Sequence, residues 1–192
     1  MRRAAAALAV MLALMPARGG AWAAEWGVAD LMASLAEVRS DKARFVEKGF
    51  VSLLKEPVES SGTLSYERPD KVEKRTEKPR PESLRVEGDK LTLTQADGTM
   101  RSVSLSSMPE IEAYVESIRA TLAGDLPALR HFYNVALEGV RDGWTLQLTP
   151  LGPDVREMVR LILIAGRENR IGEVTVYQTD GDRSVMTITP QP

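Results

Sequence analysis

The chain has 192 residues, of which 43% are hydrophobic and 27% charged, so it is long and apolar enough for one folded domain. Its formal net charge of −2 lacks the basic footprint of a nucleic-acid-binding protein. The absence of cysteine excludes disulfides and thiol chemistry, and the single histidine, His131, argues against a catalytic triad or a polyhistidine metal site. We therefore predict no enzymatic activity, no catalytic residues, no metal and no cofactor.

The first 23 residues have the pattern of an export signal. Arg2 and Arg3 precede an apolar run from Ala4 to Met15, and Ala21-Trp22-Ala23 supplies the small residues of a cleavage site. The run is far shorter than the ~20 apolar residues that span a bilayer. We predict a cleaved signal peptide over 1–23 and one domain over 24–192, released as a soluble protein.

The first half of the mature chain predicts a helix followed by strands. Apolar residues recur at helical spacing over 27–39, and β-forming residues fill 43–54. The segment 62–67 alternates between apolar and polar residues, as a strand with one buried face does. The next segment, 71–78, is almost wholly polar, and its composition does not indicate a strand. Short strands around two hairpin turns are then predicted over 84–86, 90–94 and 100–105.

A helical segment interrupts the strands in the middle of the chain. Ser107 to Glu110 fits a capping box, an apolar stripe then runs to Gly124, and Asp125 can cap a second short helix. We expect His131, near the end of that second helix, to be a packing or capping residue. The stripe can either fill a solid core or roof an apolar concavity, and periodicity alone favours the solid core.

Strands resume after the helices and continue to the end of the chain. The segments Gly152-Pro153-Asp154 and Asp180-Gly181-Asp182 are predicted to be turns. The predicted strands lie over 135–138, 144–149, 159–165, 171–178 and 184–189. Together these elements predict an α+β fold dominated by an antiparallel sheet.

Four motifs, in order, resemble those of one known family. Residues 62–69 have the sequence Gly-Thr-Leu-Ser-Tyr-Glu-Arg-Pro and are followed by Pro79. Phe45-Val46-Glu47 precedes them, and 86–91 (Val-Glu-Gly-Asp-Lys-Leu) and 143–150 (Gly-Trp-Thr-Leu-Gln-Leu-Thr-Pro) follow. This ordered set resembles the LolA-like outer-membrane lipoprotein carriers over nearly all of the mature chain.

The resemblance implies an incomplete antiparallel β-barrel of about 9–11 strands, with an N-terminal helix and a helical lid inserted mid-chain. It implies a monomeric periplasmic protein that shields the acyl chains of a lipid or lipoprotein cargo in a hydrophobic cavity. Such a carrier takes its cargo from an inner-membrane exporter to an outer-membrane acceptor. It has no catalytic residues and does not bind nucleic acid.

Apolar positions of the strands and of the helical stripe are the candidate cavity residues. They are Phe45, Leu64, Tyr66, Leu91, Leu93, Ile118, Leu122, Trp144, Leu146, Leu148, Ile162, Ile164, Val174, Val176, Met186 and Ile188. In the family, the arginine of the Arg-Pro pair contacts the lid and holds the empty cavity closed. The resemblance assigns that role to Arg68, and its parity with Leu64 and Tyr66 predicts that it faces the cavity.

The sequence departs from the family pattern in three respects. No aromatic residue occurs in 71–76, the aromatic content is only 5%, and the chain ends at 190–192 without the family's C-terminal extension. These departures favour a divergent carrier, for a non-protein lipid such as a glycolipid or a polyene-type lipid. The alternative is an envelope sensor or adaptor that uses the same fold to bind a protein partner. An envelope hydrolase would lack a nucleophile and base.

Overall fold

The structure is a computed structural model that describes residues 26–191. The predicted signal peptide, residues 1–23, lies outside the described residues, so its cleavage after Ala23 stays a prediction. None of the helices within 26–191 has the length and apolarity needed to cross a membrane.

Within the described residues the chain forms eleven strands and four α-helices. The helices are α1 (Val28–Leu35), α2 (Pro109–Ala123), α3 (Leu126–Phe132) and α4 (Pro153–Met158), and a 3-10 turn over Leu105–Ser107 precedes α2. The strands are β1 (Ser40–Phe50), β2 (Val58–Glu67), β3 (Lys71–Lys78), β4 (Glu82–Glu87), β5 (Lys90–Gln95), β6 (Met100–Ser104), β7 (Tyr133–Val140), β8 (Gly143–Pro150), β9 (Val159–Arg167), β10 (Arg170–Gln178) and β11 (Arg183–Pro190).

All eleven strands belong to one open antiparallel sheet, with the order β6-β5-β4-β3-β2-β1-β11-β10-β9-β8-β7. The first and last strands of the chain pair at its centre, where Phe45 lies opposite Ile188. The two edges, β6 and β7, are adjacent in sequence and are joined only through α2 and α3. This helical connection must therefore cross a face of the sheet. The predicted α+β fold and incomplete antiparallel barrel are confirmed.

One face of the sheet carries most of its buried apolar side chains. Directly opposed residues of antiparallel strands share a face, and residues two apart along a strand do too. Successive opposed residues trace that face across the sheet. From β5 to β1 they are Leu93, Leu84, Lys74, Leu64 and Ala43, and from β1 to β8 they are Glu47, Met186, Val174, Ile164 and Leu146. Every strand residue predicted to line a cavity lies on it.

The β7–β11 half of this face is packed solidly against the helices. Its core joins Leu31 and Leu35 of α1 and Leu129 of α3 to a layer of buried strand residues. Trp144 lies in this layer, with its ring over Gly166, and its indole Nε1 donates a hydrogen bond 2.9 Å long to the carbonyl oxygen of Glu168. The indole thus buries its large apolar area without leaving a polar atom unpaired.

The polar segment Lys71–Lys78, for which composition indicates no strand, forms β3. It pairs with β2 on one side and with β4 on the other, so its backbone forms hydrogen bonds with both neighbouring strands. Its charges are neutralised across strands, as in the ion pairs Lys74–Glu47 and Lys71–Glu87. Cross-strand pairing of this kind overrides low intrinsic β propensity.

Several predicted boundaries are wrong. The capping box at Ser107 is absent, because α2 begins after Met108 and the Ser107 hydroxyl instead donates to the carbonyl oxygen of Ser104 at 2.7 Å. Gly152-Pro153-Asp154 begins helix α4 instead of forming a turn, since Pro153 occupies the first helical turn. Helix α1 ends at Leu35, before the predicted residue 39, and β1 ends at Phe50, before residue 54.

The prediction that Asp125 caps the second helix of the insert is confirmed. Its carboxylate Oδ1 accepts a hydrogen bond 3.0 Å long from the backbone N–H of Ala128. This satisfies one of the free donors in the first turn of α3.

Gly62 is a position at which strands β2 and β3 require a glycine. A Cβ there would lie 1.9 Å from the carbonyl oxygen of Arg75 and 3.0 Å from the Phe45 ring. We predict that Gly62→Ala lowers the free energy of unfolding by about 2–3 kcal/mol, because the backbone of β3 has to shift. Chemical denaturation measures this change. The control Gly172→Ala, whose Cβ would meet only an atom 4.0 Å away, should change stability by less than about 0.5 kcal/mol. Equal effects would contradict the prediction.

Candidate functional site

A cavity of about 190 Å³ lies between helix α2 and the apolar face of the sheet. Its wall extends from Leu84 on β4 to Ile164 on β9, and six inter-strand steps separate these strands in the sheet order. In a flat sheet those steps would span about 29 Å. Both residues line one small cavity, so the sheet curls around it and the apolar face is concave.

The cavity brings together one group of the predicted residues. This group is Leu64, Tyr66, Ile118, Leu122, Ile164, Val174, Met186 and Ile188. A second group is buried beside the cavity in packed regions that do not line it: Phe45, Trp144, Leu146, Leu148, Ile162 and Val176. Leu91 and Leu93 lie on the same face further along the sheet, half-buried and outside the cavity wall. Their role in binding a lipid stays a prediction.

Several wall residues lie outside the predicted set. They are mainly apolar side chains from α1 and the turn after it, from β3, β4 and β10, and from α2: Leu35, Val38, Val72, Leu84, Val86, Tyr114, Val115 and Ile171. Val115 belongs to the recognised helical stripe, and Leu84 and Val86 show the alternation of a strand. Val72 was not predicted, because it lies within the polar segment that forms β3. The stripe on α2 therefore roofs the cavity, while Ala113 and Ala120 of the same helix pack into the solid core.

One buried ion pair interrupts the apolar wall. Lys74 Nζ lies 2.5 Å from Glu47 Oε2, and the side chains are only 29% and 18% exposed. Lys74 Nζ also lies 5.0 Å from the centroid of the Phe45 ring, and the Ser60 hydroxyl donates to Glu47 Oε2 at 3.4 Å. These partners compensate the loss of hydration that two buried charges suffer.

Two tyrosines lie where α2, the lid helix, meets the sheet. Burial raises the pKa of Tyr114 to about 12, and the negative charge of Glu47 contributes to the rise. Tyr133 is fully buried at the start of β7, and its hydroxyl donates a hydrogen bond 3.0 Å long to the carbonyl oxygen of Ala113 in α2. Burial raises the pKa of Tyr133 as well. Both hydroxyls therefore stay protonated at neutral pH.

Tyr66 places an unsatisfied polar atom at the cavity wall. The residue is 5% exposed, and its hydroxyl has no hydrogen-bond partner. Leaving a buried hydroxyl unpaired costs about 1–3 kcal/mol. A phenylalanine at this position would avoid the cost, so the hydroxyl is unexplained by the packing of the empty cavity.

Arg68 contacts the C-terminal end of the lid helix. At that end, Gly124 adopts the left-handed conformation (φ +68°), and the N–H groups of Gly124 and Asp125 donate to the carbonyl oxygens of Thr121 and Ala120. This is the Schellman arrangement, which leaves the Ala123 carbonyl free. The Arg68 guanidinium Nη2 donates a hydrogen bond to that oxygen. Its charge also complements the negative end of the helix dipole.

Arg68 itself is exposed in the turn after β2, at the rim of the cavity. The prediction that it contacts the lid agrees with this geometry. It does not line the cavity as its strand parity predicts, because β2 ends at Glu67 and the alternation stops there.

A second arginine joins the lid to the β4–β5 turn, which lies beside the β2–β3 turn, since a Cβ on Gly88 would be 3.7 Å from Asp70 Oδ2. Arg119 Nη1 of α2 donates a hydrogen bond 2.7 Å long to the carbonyl oxygen of Gly88, in the β4–β5 turn. Its Nη2 forms an ion pair with Glu116, one turn earlier in α2. Nothing in the periodicity of the sequence distinguishes Arg119 from a solvated residue of the helix, and sequence reasoning missed it.

Chemistry-bearing groups outside the cavity are sparse in the described residues. His131 is exposed at the end of α3, and its ring packs edge-on against Phe132 with centroids 4.8 Å apart. Between residues 26 and 191, no three His, Asp or Glu side chains come together in a way that could hold a metal ion.

The family model for "Outer membrane lipoprotein carrier protein LolA-like" matches residues 21–188. The chain belongs to the LolA-like family. This confirms the resemblance found in the sequence motifs. Membership of this family points to a carrier or a related binding role. A search of curated proteins finds no match to the LolA-like chain.

Solved structures similar to this LolA-like chain share little sequence with it. The LolA superfamily protein NE2245 from Nitrosomonas europaea is 11% identical, with a TM-score of 0.47 over 85% of this chain and 91% of its own. A putative outer membrane lipoprotein-sorting protein domain from Vibrio parahaemolyticus is 7% identical, with a TM-score of 0.48 over 85% and 91%. A chain of the Pseudomonas aeruginosa MucA/MucB complex is 13% identical, with a TM-score of 0.47 over 84% and 55%.

Proposed function

We propose that this protein is a periplasmic carrier that shields the acyl chains of a lipid or lipoprotein and ferries it from an inner-membrane exporter to the outer membrane. The observation that carries the proposal is the apolar cavity under α2, walled by residues from seven strands of the sheet. Burying an acyl chain there is worth about 0.8 kcal/mol per CH₂ group. Family membership supports the assignment, and the export signal predicted for residues 1–23 agrees with it.

The cavity in the described conformation is small for an acyl chain. Pockets that enclose drug-sized ligands have volumes of about 300–1,000 Å³. The cavity measures about 190 Å³, so an acyl chain cannot enter unless α2 moves away from the sheet. The described conformation is then a contracted one, in which α2 lies close to the sheet.

Release of cargo needs a closed state that is itself stable. A carrier that only gained free energy by burying lipid would keep it, so closing of the empty cavity must offset part of that gain. The contact between Arg68 and the Ala123 carbonyl exists only while the end of α2 lies beside the β2–β3 turn. We assign Arg68 the role of a latch that loading breaks and unloading restores.

Filling the cavity tests the carrier function directly. We predict that Ile118→Trp lowers the affinity for a fluorescent fatty acid at least tenfold, because the indole occupies the space under the lid. Fluorescence titration measures the affinity, and a thermal melt checks that the variant folds. The control is Val46→Trp, on the opposite face of β1, where the side chain is 41% exposed. Unchanged binding by a folded Ile118→Trp variant would refute the cavity as the binding site.

Removing the latch tests the unloading step. We predict that Arg68→Leu still takes up lipid but transfers it to acceptor vesicles about fivefold more slowly. A charge at a helix C-terminus is worth up to about 1 kcal/mol, which corresponds to that factor. Stopped-flow transfer of a fluorescent lipid gives the rate. Arg80→Leu, an exposed arginine in the β3–β4 turn, is the matched control. Normal unloading by Arg68→Leu would show that Arg68 is not a latch.

A further inference from the structure

The Tyr66 hydroxyl does not fit a cavity built for hydrocarbon alone. Tyr66 is 95% buried, lines the cavity and has no hydrogen-bond partner for its Oη atom. A purely aliphatic ligand would leave that hydroxyl unpaired in both the empty and the loaded protein. A ligand with an acceptor oxygen at this point would satisfy it only when bound.

The neighbours of Tyr66 in the sheet do not supply the missing acceptor. Its directly opposed residues are Asp41 on β1 and Val72 on β3, and both line the cavity. Val72 has no polar side-chain atom. Asp41 is exposed, and its Oδ1 atom accepts a hydrogen bond 2.8 Å long from the backbone N–H of Lys42. The hydroxyl therefore has apolar and solvent-facing neighbours and stays unpaired.

Tyr66 lies at one end of the cavity. It precedes Arg68 by two residues, and Arg68 contacts Ala123 at the C-terminal end of α2. The ion pair of Lys74 and Glu47 lies near Tyr114, nine residues earlier on α2, which corresponds to about 13 Å along the helix. That pair satisfies its own charges, so Tyr66 is the position at which a polar group of a ligand gains a new partner.

We propose that Tyr66 Oη donates a hydrogen bond to the acyl carbonyl oxygen of the bound amphiphile. The ligand class is thereby a fatty acid, or an ester- or amide-linked acyl chain, in preference to a hydrocarbon without a carbonyl. The tail lies along Ile118 and Leu64, and the head group lies toward the exposed Asp41. This inference rests on the proposed carrier function and adds a chemical requirement to it.

The test compares ligands that share a C16 chain and that carry or lack a carbonyl group. Palmitate, methyl palmitate and hexadecane compete with a fluorescent hydrocarbon probe, diphenylhexatriene, for the wild-type protein and for Tyr66→Phe. Wild type should prefer methyl palmitate over hexadecane by about five- to tenfold, the factor that one hydrogen bond provides. Tyr66→Phe should remove that preference while its affinity for hexadecane is unchanged or higher. Tyr177→Phe, the same substitution on the opposite face of the sheet, should keep it.

Each further outcome has one meaning. Loss of preference for both palmitate and its ester supports the carbonyl contact with either source of acyl chain, and loss for palmitate alone identifies a free fatty acid as the source. A preference for both palmitate and methyl palmitate over hexadecane that persists in Tyr66→Phe overturns the contact. A wild-type protein from which none of the three ligands displaces the probe refutes the carrier function instead.

A second measurement needs no ligand. Because the hydroxyl is unpaired in the empty protein, Tyr66→Phe should leave the Tm unchanged or raise it. A clear fall in Tm would show that the hydroxyl is bonded within the protein, and this would also overturn the proposal.

Discussion

The structure depends on one constraint, which is the mismatch between a wide apolar sheet face and the few helices available to cover it. Most buried apolar side chains of the sheet lie on the same concave side. The helices α1, α3 and α4 pack against the β7–β11 half and make it solid. Helix α2 connects the two edges of the sheet and crosses its concave face, and a cavity lined by strands of both halves remains beneath it.

Helix α2, the lid, is held by one buried hydrogen bond and by two arginine contacts. The bond from the buried Tyr133 hydroxyl to Ala113 holds the first half of α2 to the core, where water cannot compete for it. The arginine contacts, Arg68 to Ala123 and Arg119 to Gly88, lie closer to solvent at the rim. The Arg68 contact, at the end of the second half of α2, is exposed and therefore weak, so opening costs least there. Tyr66 lies beneath that half, where an entering chain would meet it.

The sequence predicts the features that arise from local patterns and misses those that arise from tertiary pairing. Alternation identified the concave face, and glycine and aspartate turns located most strands. The strand β3 was missed, because its lysines Lys71 and Lys74 are neutralised by partners on other strands, Glu87 and Glu47. Periodicity also could not separate wall from core, since Ile164 and Ile162 share a strand face yet only Ile164 lines the cavity. Arg119 was missed because its partner is a backbone carbonyl.

The central claim is that the cavity under α2 carries an acyl-chain lipid in the cell. Native mass spectrometry of the protein, isolated gently from the periplasm of the cell that makes it, tests this most directly when any adduct is extracted and analysed. We expect a lipid adduct on a fraction of the molecules, whose acyl groups retain a carbonyl. A uniformly unliganded mass, from a protein that also fails to take up a fluorescent fatty acid, would refute the carrier function and favour an adaptor that binds a protein partner.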